Sequence, residues 1–600
     1  MRKEIIQFIV ENGLSPFNNY KTSVKGNSGS FYKTTDAKAV HNKVLANISE
    51  KFRFPDASSL LQYFNFTNNL HDIKNRQEYF SKLVNVDRSF LSSIKHPKST
   101  WKPSYSVIVV TEDDQVFLKL REFGCPAKLL ISERDVMELQ VYDVVQVINC
   151  EQYGSALEEL QQAVFLKNMQ EAYLERYVTQ LSSWIEIIDT IKTADSRFLS
   201  AQDSEAKNLD ILKDKQITEN LKQTIDKVIP LLRLARREKK EILDVRKVEE
   251  VCEKMNSYLE EEMKNLTISG SVLMNALARG TIPDELKKIV QKLIKNSGFN
   301  EEIFIEKVPI EIDEVELDKL VRKQSIQGFT SEAEDIKKSA VELLQVPKLL
   351  GDLERELLLF DFESGIADWM DKKENKIEIS DEFTIDNVPN IFLEKAQPIS
   401  FRLDDRDRCS ILTGANSGGK TTLLEHIIQS ISLMQIGLPV NGNIKMPIFS
   451  EIYYFAKNKG SASKGAFETL LTQLAGIKSE KMNSDGKVLI LADEIEAVTE
   501  PGVAGRIIAA SADYFIQKGC FLVIATHLGQ EIAKVLPNYA RIDGIEAKGL
   551  DEQNELIVDH NPVLGRLASS TPELIVEKMA KKNSDEYLMH LWNCLEKSKK

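Results

Sequence analysis

The residues with the most chemical content lie together in the stretch LTGANSGGKTTLLEHI, which begins at Leu412. Gly414, Gly419, Lys420 and Thr421 fit the spacing G-x-x-x-x-G-K-[ST]. Glycines at that spacing let successive backbone N–H groups curl around phosphate oxygens, and a helix starting there adds a dipole that favours the same negative charge. On this reading Gly414, Ala415, Asn416, Ser417, Gly418, Gly419, Lys420, Thr421 and Thr422 cradle the phosphates of a nucleoside triphosphate, taken as ATP. Lys420 brings a point charge to the β- and γ-phosphates, the Thr421 hydroxyl ligates Mg²⁺ and Thr422 reaches the α-phosphate. The alternative is a glycine-rich strand-to-helix turn with no ligand. The strand-like CSILT before the loop and the helical TTLLEHIIQSISLM after it are the context that the phosphate reading requires.

Two further stretches supply the remaining groups. KVLILADEIEAVTE is an apolar run ending in Asp493 and Glu494. A carboxylate at a strand tip holds the metal, and its neighbour activates the attacking water as general base, so Asp493 is assigned to Mg²⁺ and Glu494 to catalysis. A hydrophobic run ending in two acids is weak by itself and more often marks surface carboxylates. Its position downstream of the phosphate loop makes the two a plausible Walker A and Walker B pair. In FLVIATHLGQEI another apolar strand ends in Thr526-His527. A lone histidine is usually structural or solvated, but at this place His527 can hydrogen-bond the γ-phosphate and is counted with Glu494 and Lys420 among the catalytic residues.

These groups need a scaffold, and the rest of the chain is consistent with one. Six hundred residues allow several domains. The net charge of −13 excludes a simple polyanion binder but not local basic faces. Cys125, Cys150, Cys252, Cys409, Cys520 and Cys594 are scattered, without zinc spacing, as expected of packed, reduced thiols in a cytoplasmic protein. No apolar run approaches the ~18 residues of a membrane span, and MRKEIIQFIVENG reads as an ordinary helix rather than a signal peptide. The expected organisation is an N-terminal helical region at 1–100, a small α/β unit at 101–155, a helical lever and clamp region with coiled-coil character at 156–385, and a C-terminal α/β domain with a helical tail at 386–600. Within the small unit SVIVVT, QVFLKL, AKLLIS and YDVVQVI are expected as strands. ALEELQQAVFLKNMQEAYLERYVTQLSSWIEIIDTI is expected as long helix, because it is rich in Glu and Gln with no Gly or Pro. The alternation of apolar runs and helical segments after about 386 predicts a mostly parallel sheet.

The residues now carry a resemblance. LTGANSGGKTT is similar to the P-loop ITGPNMGGKST of the MutS family, with Asn416 on the family's Asn. LILADEIEAVTEPG resembles its Walker B segment, IATHLGQEI its switch strand and NVPNIFLEKAQPISFRLD its lead-in strands. HDIKNRQEYFSKL resembles the start of its helical core. The likeness is specific over about 386–580 and loose over 40–375. It implies a multidomain chain in which a long-helix lever and clamp region precedes an ABC-type, MutS-like P-loop ATPase domain. It also implies a homodimer with composite ATP sites.

The departures are informative. The family's mismatch-reading Phe-x-Glu has no N-terminal counterpart; Phe304-Ile305-Glu306 and Phe392-Leu393-Glu394 are taken as chance, so mismatch recognition is not expected. In GSASKGAFETLL, Phe467 matches the family's trans-acting STFMVEM signature, whereas Gly465 stands at the Ser; Ser461, Ser463 or Lys464 can take its place. EAVTEPG replaces GRGTST, with Thr499 matching, and no nuclease-like tail is expected after CLEKSKK. The resemblance therefore implies a MutS-related branch without mismatch reading.

The expected activity is ATP hydrolysis coupled to opening and closing of a clamp on duplex or branched DNA. Arg233, Arg236, Arg237, Lys239 and Lys240, and Lys287, Lys288, Lys292 and Lys295, are the candidate phosphate contacts. A solvated face with i,i+4 ion pairs is the other reading of the same residues. The alternative functions are an ATPase clamp on ribosomes or structured RNA, as the second bacterial MutS branch allows, and a nucleotide-gated scaffold without catalysis. Glu494 argues against the last.

Overall fold

The computed structural model describes residues 31–64, 67–83, 85, 88–94, 105–205, 215–236, 243–267, 269–371, 373, 377–414, 419–457, 471–472, 474–477, 487–494, 500–550, 556–568, 572–583 and 585–598. The chain divides into two compact units. One comprises 94–201 and 222–353; the other comprises 1–93, 202–221 and 354–600.

The first unit contains a small sheet of β1 (Val107–Thr111), β2 (Ala127–Leu129), β3 (Val144–Val147) and β4 (Ala163–Phe165), all parallel, in the order β2-β1-β3-β4. Strand side chains alternate between faces: Val107, Val109 and Val144 enter one core, and Ile108, Val110, Val145 and Val147 enter another. Two expectations are corrected here. QVFLKL is not a strand but part of the helix Asp114–Glu122. Its Val116, Leu118 and Leu120 alternate as in a strand, but Asp113 accepts from the amides of Gln115 and Val116 and so caps a helix. The segment expected as one long helix from 156 instead contains a short helix, β4 and a 3₁₀ turn before the helix Glu175–Glu205 begins. The α/β fold thus extends to Phe165. Beyond it, the helices Val245–Asn265 and Asp284–Lys295 pack with Glu314–Lys338 around Val248, Leu286, Val290, Ile294 and Leu317. Phe304 is buried in this core, as befits a chance Phe-x-Glu.

The second unit holds two sheets. β5 (Ile377–Ile379), β6 (Phe383–Val388), β7 (Ile399–Leu403) and β9 (Asn443–Met446) form a mixed sheet in the order β5-β9-β6-β7. β8 (Cys409–Gly414), β10 (Phe449–Phe455), β11 (Lys487–Asp493), β12 (Phe521–Ala525) and β13 (Ala540–Ile545) form an all-parallel sheet in the order β10-β11-β12-β8-β13. Its central strands are buried on both faces, so they read as unbroken apolar runs. The helix Lys420–Ile436 follows β8 and is buried all round from Leu423, apart from half-buried Glu425, as a helix covered on both sides must be. The N-terminal helices Thr35–Ser49 and Leu70–Ser81 pack on it. Tyr32 donates or accepts at Ser432 Oγ over 2.8 Å, and Arg76 donates to the Phe64 carbonyl at 3.1 Å. The Gln435 side chain donates to the carbonyls of Thr67 and Phe449 and accepts from the Phe449 amide. Residues 31–93 therefore belong to the same unit as the parallel sheet.

None of the six cysteines forms a disulfide. Among the described residues no helix is long and apolar enough to cross a membrane.

Candidate functional site

In an open parallel sheet, ligands bind beyond the carboxyl ends of the strands, where the order of connection reverses. β8 is such a place: the chain leaves it for the far edge at β10, returns through β11 and β12, and then crosses to β13 on the other side. The register aligns the strand ends. Leu412 pairs with Ala525, and Ala525 also pairs with Asp493. Gly414, Asp493 and Thr526 thus finish at one rim of the sheet.

Each side chain is brought there for a local reason. Gly419 is the N-cap of the Lys420–Ile436 helix at φ +92°, a conformation that side chains rarely adopt. Its carbonyl accepts from Leu423 at 2.8 Å and starts the helix. Lys420 is 2% exposed, and its ammonium donates to the Gly414 carbonyl at 2.5 Å. Thr421 donates to Asp493 Oδ2, also at 2.5 Å. Glu494 leaves β11 at φ +48° while its amide donates to the Ala525 carbonyl at 2.9 Å. That turn aims its carboxylate back across the rim. Thr526 keeps the ladder by donating its amide to Leu412, and its hydroxyl accepts from the Leu528 amide at 3.0 Å, which turns the chain at His527.

The outcome is one cluster. Glu494 Oε1 lies 2.8 Å from His527 Nε2 and 3.8 Å from Lys420 Nζ. Glu494 Oε2 forms an ion pair with Lys457. Burial pushes the Glu494 carboxyl up, but the Lys457 and His527 contacts outweigh it and hold the group below the usual carboxylate range. Asp493 goes the other way: burial, with the Glu494 charge adding to it, raises its carboxyl.

Asp493 Oδ1 is buried with no hydrogen-bond partner among the described residues. An orphaned buried carboxylate oxygen beside a hydroxyl fits a cation site, since such a group is costly unless something binds it. No group of three or more His, Cys, Asp or Glu gathers to hold a metal ion among the described residues.

Of the residues singled out in sequence, Gly414, Gly419, Lys420, Thr421, Asp493, Glu494 and His527 meet at this rim; Thr422 is exposed on the first helical turn. Ala415, Asn416, Ser417 and Gly418 lie outside the described residues, as do Ser461, Ser463, Lys464, Gly465, Phe467 and Thr499. Two residues were missed. A Cβ on Gly419 would stand 3.0 Å from His560 Nδ1, so this imidazole abuts the end of the phosphate loop. His560 arrives there because its amide donates to Gln397 and the next residue, Asn561, accepts from Ser400. Lys457 is the other; it belongs to no motif and is placed by tertiary register.

The two basic segments separate. Arg236 donates to both oxygens of Asp189 and Arg233 to both of Glu342, which makes them members of surface ion pairs. Arg237, Lys239 and Lys240 lie outside the described residues. On Asp284–Lys295 the apolar Leu286, Val290 and Ile294 are buried, and Lys287, Lys288, Lys292 and Lys295 are exposed. Lys287 lies 3.8 Å from Glu306. Lys288, Lys292 and Lys295 form no ion pair among the described residues.

No protein-family model matches the chain. Curated relatives do. The chain is 28% identical to the DNA-binding protein MutS2 of Pyrococcus furiosus over 613 residues, covering 94% of this chain and 99% of that protein. It is 31% identical to the endonuclease MutS2 of an Anaeromyxobacter species over 151 residues, 24% of this chain and 19% of that protein. The corresponding match in Caldicellulosiruptor bescii is 26% over 358 residues, 56% of this chain and 43% of the relative. The chain thus spans less than half the length of these two endonuclease-named relatives. Similarity runs through nearly all of the archaeal protein, and the quoted motifs lie inside it, so the chain is a homologue of proteins named MutS2.

Proposed function

We propose that this chain is an ATP-hydrolysing, DNA-binding clamp. Nucleotide binding brings two copies together around composite sites, hydrolysis releases them, and the clamp prefers DNA structure over mismatches. The observation that carries the chemistry is the meeting of Lys420, Thr421, Asp493, Glu494 and His527 at one rim of the parallel sheet. Gly414 through Thr422 take the phosphates, with Lys420 turning from the Gly414 carbonyl to the β- and γ-oxygens. Thr421 and Asp493 would hold Mg²⁺, whose charge offsets that of the phosphates. Glu494 accepts a proton from the attacking water, and His527 donates to the γ-phosphate. His560 borders the nucleotide at the end of the loop.

Support for the nucleic-acid partner comes from the exposed Lys288, Lys292 and Lys295 and from the Pyrococcus furiosus relative, which is named a DNA-binding protein. The test is ATP hydrolysis by the wild type and Glu494→Gln, each with branched DNA, duplex DNA or ribosomes. Slow basal turnover, stimulated by DNA and abolished in Glu494→Gln while nucleotide binding persists, is expected. Wild-type turnover in Glu494→Gln would overturn the active-site assignment; stimulation by ribosomes and not DNA would move the clamp to another polymer.

A further inference from the structure

Lys457 stands two residues beyond β10. The parallel register that pairs Phe455 with Ala492, carried on two residues, sets Lys457 beside Glu494. The backbone leading to it is anchored: the Tyr454 amide donates to Thr34 Oγ1 at 3.0 Å, and the Ala456 amide to Asp36 Oδ2 at 3.2 Å. The side chain is not enclosed. It is 48% exposed, against 2% for Lys420, and it holds the outer oxygen of Glu494 while His527 and Lys420 approach the inner one. A lysine on a fixed backbone, with a flexible four-carbon stem and solvent around it, can change partners without any element moving.

We propose that Lys457 is a positioning residue that exchanges Glu494 for the γ-phosphate when a nucleoside triphosphate fills the loop. This rests on the ATPase reading above and deepens it. Without nucleotide the rim is balanced: Asp493 and Glu494 against Lys420 and Lys457. A triphosphate adds several negative charges directly in front of Glu494, and the mobile ammonium is drawn to them. Its departure uncovers Glu494 Oε2, which then accepts from water. A diphosphate puts no charge at the γ position, so Lys457 stays on Glu494. The pair therefore makes the site distinguish tri- from diphosphate, and the competition for one ammonium ties that distinction to the general base.

Binding, rather than turnover, tests this. Affinities for a non-hydrolysable ATP analogue and for ADP are measured on the full chain as wild type, Glu494→Gln, Lys457→Ala, Lys457→Arg and the pairwise combinations. Glu494→Gln removes the competitor for the ammonium, so the analogue binds about tenfold more tightly, the size of a coupling between contacting residues, with ADP unchanged. Lys457→Ala in the Glu494→Gln background abolishes that gain, and Lys457→Arg keeps it. An equal gain with and without Lys457 overturns the proposal. Wild-type hydrolysis by Glu494→Gln overturns the ATPase reading itself, a separate result. Unchanged ADP affinity reports that each variant is folded.

Discussion

Replacing Lys288, Lys292 and Lys295 together by Gln is the perturbation that bears most directly on DNA binding. The three follow at i, i+4 and i+7 along Asp284–Lys295, so they share one face of the helix. At 1.5 Å per residue the stripe is about 10 Å long, comparable with about three successive phosphates of one strand at 3.4 Å axial spacing. Each neutralised phosphate contributes about 0.9 to the slope of log K against log salt, so the triple variant should lower the slope by about 2.7. At about 0.1 M salt the same relation gives a factor of about eight per contact, and a loss of affinity of the order of a few hundredfold. Fluorescence anisotropy with labelled duplex and branched DNA across a salt series measures both quantities. Arg233→Gln with Arg236→Gln is the comparison. Those guanidiniums already pair with Glu342 and Asp189, so their loss should change the slope by well under one unit. An unchanged slope in the triple lysine variant would refute the assignment of this helix to the phosphates. A slope governed by the two arginines would refute the use of ion pairing to tell the segments apart.

Other expectations concern the scaffold around the nucleotide. His426 is buried with no hydrogen-bond partner for either ring nitrogen among the described residues, and burial lowers its pKa from 6.5 to about 4. A depressed pKa gives stability that is full above the unfolded value and lost as pH falls toward the folded one. The second unit should therefore lose about 2 kcal/mol between pH 7 and pH 5 from this group, and denaturant titrations of His426→Leu should show a smaller loss. Gly437 closes the Lys420–Ile436 helix at φ +96°, and a Cβ there would stand 2.6 Å from Arg76 Cβ. Gly437→Ala should cost about 2–4 kcal/mol through left-handed strain and overpacking. Gly328→Ala, mid-helix with nothing within 4 Å, should stabilise by up to about 1 kcal/mol. Equal effects of the two glycine changes would refute the close-approach argument.

The meeting of Lys420, Thr421, Asp493, Glu494 and His527 at one rim was legible because they stand in contiguous stretches at strand ends. The residue after an apolar run falls at the rim of a parallel sheet, so reading Asp493, Glu494 and His527 needed only three runs and the loop. Residues placed by tertiary register left no such trace. Lys457 faces Glu494 because β10 pairs with β11, and nothing in KNKGSASK announces that pairing. His560 reaches Gly419 through hydrogen bonds to Gln397 and Ser400, far from it in sequence. Local periodicity also misled where two patterns coincide. Val116, Leu118 and Leu120 satisfy a strand's alternation, and the Asp113 cap decided for helix. Ala163–Phe165 is too short to interrupt a helical pattern on paper, yet it completes the small sheet because β3 offers it a parallel edge.

The N-terminal helices have a consequence for how the site works. An edge strand exposes unpaired amides and carbonyls, and β10 is the edge nearest Glu494. Residues 32–36 cover it: Lys33 donates to the Ile452 carbonyl, Thr34 accepts from Tyr454, and Asp36 from Ala456. The same N-terminal segment is tied through Tyr32 to Ser432 on the phosphate-loop helix, and Arg76 and Thr67 are tied to Gln435. Asp361, fully buried, accepts from the amides of Arg53 and Phe54, which binds the second half of the Val346–Met370 helix to the same group. These are directional bonds; those of Tyr32, Arg76 and Gln435, and that between Asp361 and Phe54, join buried groups, and breaking a buried one without replacement costs about 1–3 kcal/mol. Any displacement of the Lys420–Ile436 helix must then carry residues 32–81 with it or lose several such bonds. The N-terminal segment is thus mechanically part of the proposed nucleotide site, holding the backbone before Lys457 from one side and the helix after Lys420 from the other.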